Sequence, residues 1–123
     1  MRTRLLPAIA IALLSAPALA DDPAGRPVML DADPEHGACS VGFRVERDGT
    51  ELRAGPGDAY PVIATLPEGA VVAGCDAEGD WTGVIEGEDE TCGIGIVFEE
   101  PTPYDGPCRS GWVKTGLIRQ IYG

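Results

Sequence analysis

The side chains with the most distinctive chemistry in this chain are four cysteines, Cys39, Cys75, Cys92 and Cys108. Cysteine thiols close disulfides or hold zinc, and spacing discriminates between the two. Separations of 36, 17 and 16 residues contain no C-x-x-C pair of the kind a structural zinc site uses. Two disulfides are therefore expected, with all three pairings of four cysteines open. Oxidation leaves no thiol nucleophile. The single histidine, His36, lies in "DADPEH" (31–36) with no nucleophile motif beside it, so neither a Ser-His-Asp nor a Cys-His site is expected. Asp and Glu together number 20, but acid–base work needs two carboxylates in a dry cleft and nothing in the sequence places a pair there. The runs "EGEDE" (86–90) and "DADPEH" do not follow the spacing of an EF-hand and read as solvated loops. "GIGIVF" (93–98) lacks the third glycine and the following Lys-Ser/Thr of a phosphate loop. The expectation is a protein with no catalytic residues, no metal and no cofactor.

Binding then has to come from aromatic surface. Trp81 and Trp112 read first as core, because buried tryptophan supplies a large share of the apolar area in a small β domain. Tyr60, beside a turn, reads as a half-exposed contact. A groove lined by Tyr60, Trp112, Phe98 and Tyr104 is the expected ligand-binding surface.

The elements that must position these residues start well after the first methionine. "MRTRLLPAIAIALLSAPALA" (1–20) has two arginines, an apolar middle and Ala18-Leu19-Ala20, the pattern of a secretory signal peptide. Its apolar run, Leu5 to Leu14, is shorter than the roughly 20 residues a membrane helix needs. No cysteine sits at the expected cleavage point, so no lipid membrane anchor is expected. Removing Arg2 and Arg4 leaves 7 basic against 20 acidic residues, a net charge of −13. Such a chain repels phosphate backbones and anionic lipids, which excludes nucleic acid as a partner and fits a soluble, exported monomer, periplasmic or secreted. Residues 21–38, rich in Asp, Pro and Gly without periodicity, read as a flexible acidic lead-in.

From Cys39 to Gly123, seven short β-type runs alternate with turn residues: "SVGFRVE", "ELRA", "VIATL", "AVVAGC", "WTGVIE", "SGWVK" and "GLIRQIY". That spacing argues for a small all-β fold. In "LRAGPGDAYPVIATLPEG" (52–69), Pro56 suits the second position of a turn and Gly57 the positive φ of a type II turn, while Pro61 keeps Tyr60 extended. Pro67-Glu68-Gly69 then turns the chain back. By backbone physics alone this stretch is scaffold.

The same stretch, followed by "GDWTGV" (79–84) and "SGWVKTGLI" (110–118), resembles the bacterial SH3-like (SH3b) domain. Arg53, Gly55, Pro56, Gly57, Tyr60, Val62, Ile63, Leu66, Gly69, Trp81, Val84, Gly111, Trp112, Val113 and Leu117 match the family pattern in order, over residues 41–121. Glu51 stands where the family has Asn, Thr50 where it has an apolar residue, and the segment 87–107 is inserted where the family has a short loop. The resemblance implies a partly open barrel of five to six strands. It also implies that Cys92 and Cys108, which bracket the insert, are bridged, and with them Cys39 and Cys75. Functionally it implies a non-catalytic module that contacts cell-wall peptide or another envelope component. The alternative is a structural or inhibitor-like partner of another exported protein, docking through residues 93–107; the run Ile94 to Phe98 would serve there as displayed loop or as an extra hairpin strand.

Overall fold

Glycine and proline set where the strands of this protein stop, and apolar residues on both faces of those strands set what they pack against. The computed structural model describes residues 24–87 and 89–123. In chain order the elements are β1 (Met29–Leu30), β2 (Val41–Val45), β3 (Thr50–Arg53), β4 (Val62–Leu66), β5 (Val71–Glu78) and β6 (Trp81–Ile85). There follow a helical turn α1 (Asp89–Cys92), β7 (Thr102–Pro103), β8 (Ser110–Lys114), a 3-10 turn (Thr115–Leu117) and β9 (Ile118–Tyr122). Seven strands form one antiparallel sheet in the order β4-β3-β8-β6-β5-β2-β9, and β1 pairs with β7 in a separate ribbon. All seven β-type runs read from the sequence are strands of the main sheet, so the expected five to six is corrected to seven.

The turns divide into two kinds. Gly49 (φ 74°) and Gly69 (φ 90°) occupy the left-handed region that closes β2 to β3 and β4 to β5. Gly57 does not, so the type II turn expected at Pro56-Gly57 is not formed. The glycine requirement there is steric instead. The Tyr60 ring lies directly on Gly55 and against Gly57, and a Cβ on Gly55 would collide with it.

The inner face of the sheet gathers Val45, Leu52, Leu66, Val72, Val84, Val113 and Ile118 into one cluster. Leu66 belongs to edge strand β4 and Ile118 to the opposite edge strand β9. Both edges reaching one core means that the sheet is rolled into a partly open barrel. Each such side chain contributes about 1.5–3 kcal/mol on burial.

The outer face is read from the register of β6 and β8, where residues directly opposite share a face: Ile85 with Ser110, Gly83 with Trp112, and Trp81 with Lys114. Most of this face is covered by segments from outside the sheet. Ile94 and Tyr104 of the insert pack with Leu30, Ala38, Ala73 and Ile85 in a second cluster. The lead-in crosses beside them, with Val28 and Leu30 only 1% and 3% exposed. Residues 24–38 are therefore not a flexible lead-in. The Tyr104 N–H donates to the Val28 carbonyl (2.9 Å), the Met29 N–H to Asp76 Oδ2 (2.9 Å) and the Ala38 N–H to the Ile96 carbonyl (3.0 Å). These bonds and the apolar triplet Val28-Met29-Leu30 fix the segment. The expected signal peptide and residues 21–23 lie outside the described residues. Ile94 to Phe98 is an irregular loop and not a strand.

Both disulfides form as the family resemblance implied, Cys39–Cys75 and Cys92–Cys108. The first ties the lead-in to β5 and the second ties the insert to the residues before β8. Two disulfides indicate an oxidising environment outside the cytoplasm. Among the described residues no helix is long and apolar enough to cross a membrane.

Candidate functional site

The covering of the outer face stops before Trp81. Gly79 (φ 57°) and Asp80 form the two-residue connection between β5 and β6, so Trp81 is the first residue of its strand, at the mouth of the hairpin. Its cross-strand neighbours are Glu78 on β5 and Lys114 on β8. The ring is partly exposed, and the Lys114 ammonium lies 5.8 Å from its centroid, within cation–π range.

Around this ring lies a surface groove of about 360 Å³. Three cationic side chains, Arg47, Arg53 and Lys114, and three anionic ones, Asp48, Glu51 and Asp58, line it together with Trp81. The charges are not held alike. Arg53, 17% exposed, pairs with Glu51 at 2.6 Å and donates to the carbonyls of Asp58 (3.0 Å) and Tyr60 (2.8 Å), which makes it a fixed wall. Lys114 and Asp58 approach only to 3.9 Å with side chains 51% and 73% exposed, a loose pair that solvent already shares.

The groove expected from sequence, lined by Tyr60, Trp112, Phe98 and Tyr104, is not assembled. Trp112 is fully buried; its indole N–H donates to the Arg26 carbonyl (2.9 Å) and the Arg26 guanidinium sits 6.0 Å over its ring. That guanidinium is tethered by Glu78 at 2.8 Å, and this hydrogen bond, first among the causes, raises its pKa. Tyr104 is core of the insert: its hydroxyl donates to the Cys92 carbonyl (2.7 Å) and accepts the Cys108 N–H (3.1 Å). A buried phenol with both hydrogen-bonding directions used serves the loop, so Trp112 and Tyr104 are corrected from ligand contacts to interior residues. Tyr60 is half-buried on the Gly55 turn, and Phe98 half-buried against the insert cluster. The residue that sequence reasoning left in the core is Trp81.

Among the described residues, no group of three or more His, Cys, Asp or Glu side chains is arranged to hold a metal ion. No family model, no curated protein and no solved structure matches this chain.

Proposed function

We propose that this protein is an exported, non-catalytic binding module of the SH3b type, periplasmic or secreted, which contacts cell-wall peptide or another envelope component through the Trp81 groove. The observation that carries this reading is a partly exposed tryptophan where the covering of the outer face stops, beside a charge pair loose enough to open. Aromatic surface flanked by mobile polar groups is what a small binding site requires. The ordered sequence blocks over residues 41–121 and the two disulfides support the family and compartment assigned. The test is retention of the processed protein on purified sacculi. Retention is expected, with a reduction of at least threefold in Trp81→Ala; wild-type protein passing through unretained would remove cell-wall peptide as the ligand.

A second reading is favoured by one observation. Ile96 and Val97, at the tip of the insert, are 54% and 57% exposed, in keeping with a contact for another exported protein. Deleting residues 93–107 would also withdraw Ile94 and Tyr104 from the core, so Ile96→Ser with Val97→Ser is the cleaner variant. Loss of partner capture with sacculus retention unchanged would favour this second role.

A further inference from the structure

Resting on the assignment of the Trp81 groove as the binding face, we infer that the groove takes a zwitterionic peptide segment, one that presents a free amine and a free carboxylate together. The first reason is charge. The whole chain carries −11, yet this groove balances three cations against three anions. An anionic ligand gains little from it and meets the repulsion of the rest of the molecule; a neutral, doubly charged ligand meets none.

The second reason is the way the charges are held. The Arg53–Glu51 pair is closed, with the guanidinium also committed to two carbonyls, so it shapes the wall and does not open. Lys114 and Asp58 stand 3.9 Å apart and largely in solvent, at the open rim. A ligand carrying one charge would draw one of them away and leave the other without its partner. A ligand carrying both re-pairs each: its carboxylate takes the Lys114 ammonium and its amine takes the Asp58 carboxylate. The third reason is the floor. As the Lys114 ammonium swings from the Trp81 ring towards a carboxylate, it uncovers aromatic surface on which a short aliphatic side chain of the ligand packs.

The probe is alanyl-alanyl-alanine with both ends free, titrated into the processed protein and followed by tryptophan fluorescence and calorimetry, alongside its N-acetyl and C-amide forms. Capping either end is expected to weaken binding about threefold to fivefold, the upper part of the range for one solvent-exposed charge pair. Lys114→Met should weaken the free-ended peptide by a similar factor and leave the C-amide form unaffected. Asp58→Asn should do the same with respect to the N-acetyl form. Both side chains are exposed, so the variants fold. Equal binding of all three peptides, binding that needs the amine alone, or no binding of any of them overturns the inference. Sacculus retention measured in parallel separates this from the reading above. Retention without discrimination between capped and free peptides removes only the zwitterion preference. Discrimination without retention removes only the cell wall as the source of the ligand.

Discussion

Trp112 and Trp81 stand on the same face of the same sheet, in neighbouring rows of the β6–β8 ladder, and they meet opposite fates. Trp112 faces Gly83, and the space that glycine leaves is filled by Val28: a Cβ on Gly83 would lie 3.0 Å from a Val28 methyl and 2.9 Å from Asp76 Cβ. The lead-in can therefore lie flat across that row and seal the indole under Arg26. One row further, Trp81 pairs with Lys114, whose charge keeps the row in water. Covering by other segments decides the role of each tryptophan, and residue type does not. The insert repeats the lesson in reverse. Its bracketing cysteines suggest a displayed loop, but Ile94 and Tyr104 fold back into a core, and of its large apolar side chains Ile96 and Val97 are the ones presented to solvent.

The sharpest break between the two rows is in stability. Trp112→Ala should cost about 3–5 kcal/mol, the range for removing a fully buried large aromatic, whereas Trp81→Ala should cost about 1 kcal/mol or less. Denaturant unfolding of the two variants checks this, and equal losses would mean that both indoles are core. Next in size is the second bridge. Cys92→Ser with Cys108→Ser opens a loop of sequence separation 16 and should lower stability by about 3 kcal/mol in the chain-entropy model. Hydrogen exchange in that variant should rise around Ile94 and Tyr104 before it rises at Leu52 or Val113. Tyr104→Phe leaves the Cys92 carbonyl and the Cys108 N–H without their partner and should cost about 1–2 kcal/mol by thermal unfolding.

The smallest effect is electrostatic and lies in the lead-in. Asp33 accepts the N–H groups of Glu35 (2.9 Å) and His36 (3.1 Å), and these bonds, first Glu35 and then His36, lower its pKa. A carboxylate with a depressed folded-state pKa contributes stability above its unfolded value, near 4, and loses it as pH falls through the folded value. The stability gap between wild type and Asp33→Asn should therefore be fully open at pH 6 and close below pH 4. A gap independent of pH would detach the lead-in from this turn.

How much of this was legible beforehand follows from the range of the interactions. The seven strands were readable because glycine and proline act locally, and Arg47-Asp48-Gly49 and Pro67-Glu68-Gly69 turn the chain where their chemistry requires. The cysteine pairing followed from the family resemblance. The lead-in was not readable. Val28-Met29-Leu30 is too short to show a period, and its order comes from Thr102–Pro103, more than seventy residues away in the chain. Nor was the division between the tryptophans. The last four residues of β6 are buried without alternation, because both faces of the sheet are covered there, so no two-residue rhythm marks which indole escapes.

The most direct measurement uses the two indole N–H resonances that two tryptophans provide. Adding soluble fragments of purified sacculi to the isotope-labelled, processed protein should move the Trp81 indole signal in step with Lys114 and leave the Trp112 signal in place. Movement of Trp112 or of the insert aromatics while Trp81 stays still would contradict the placement of the binding face.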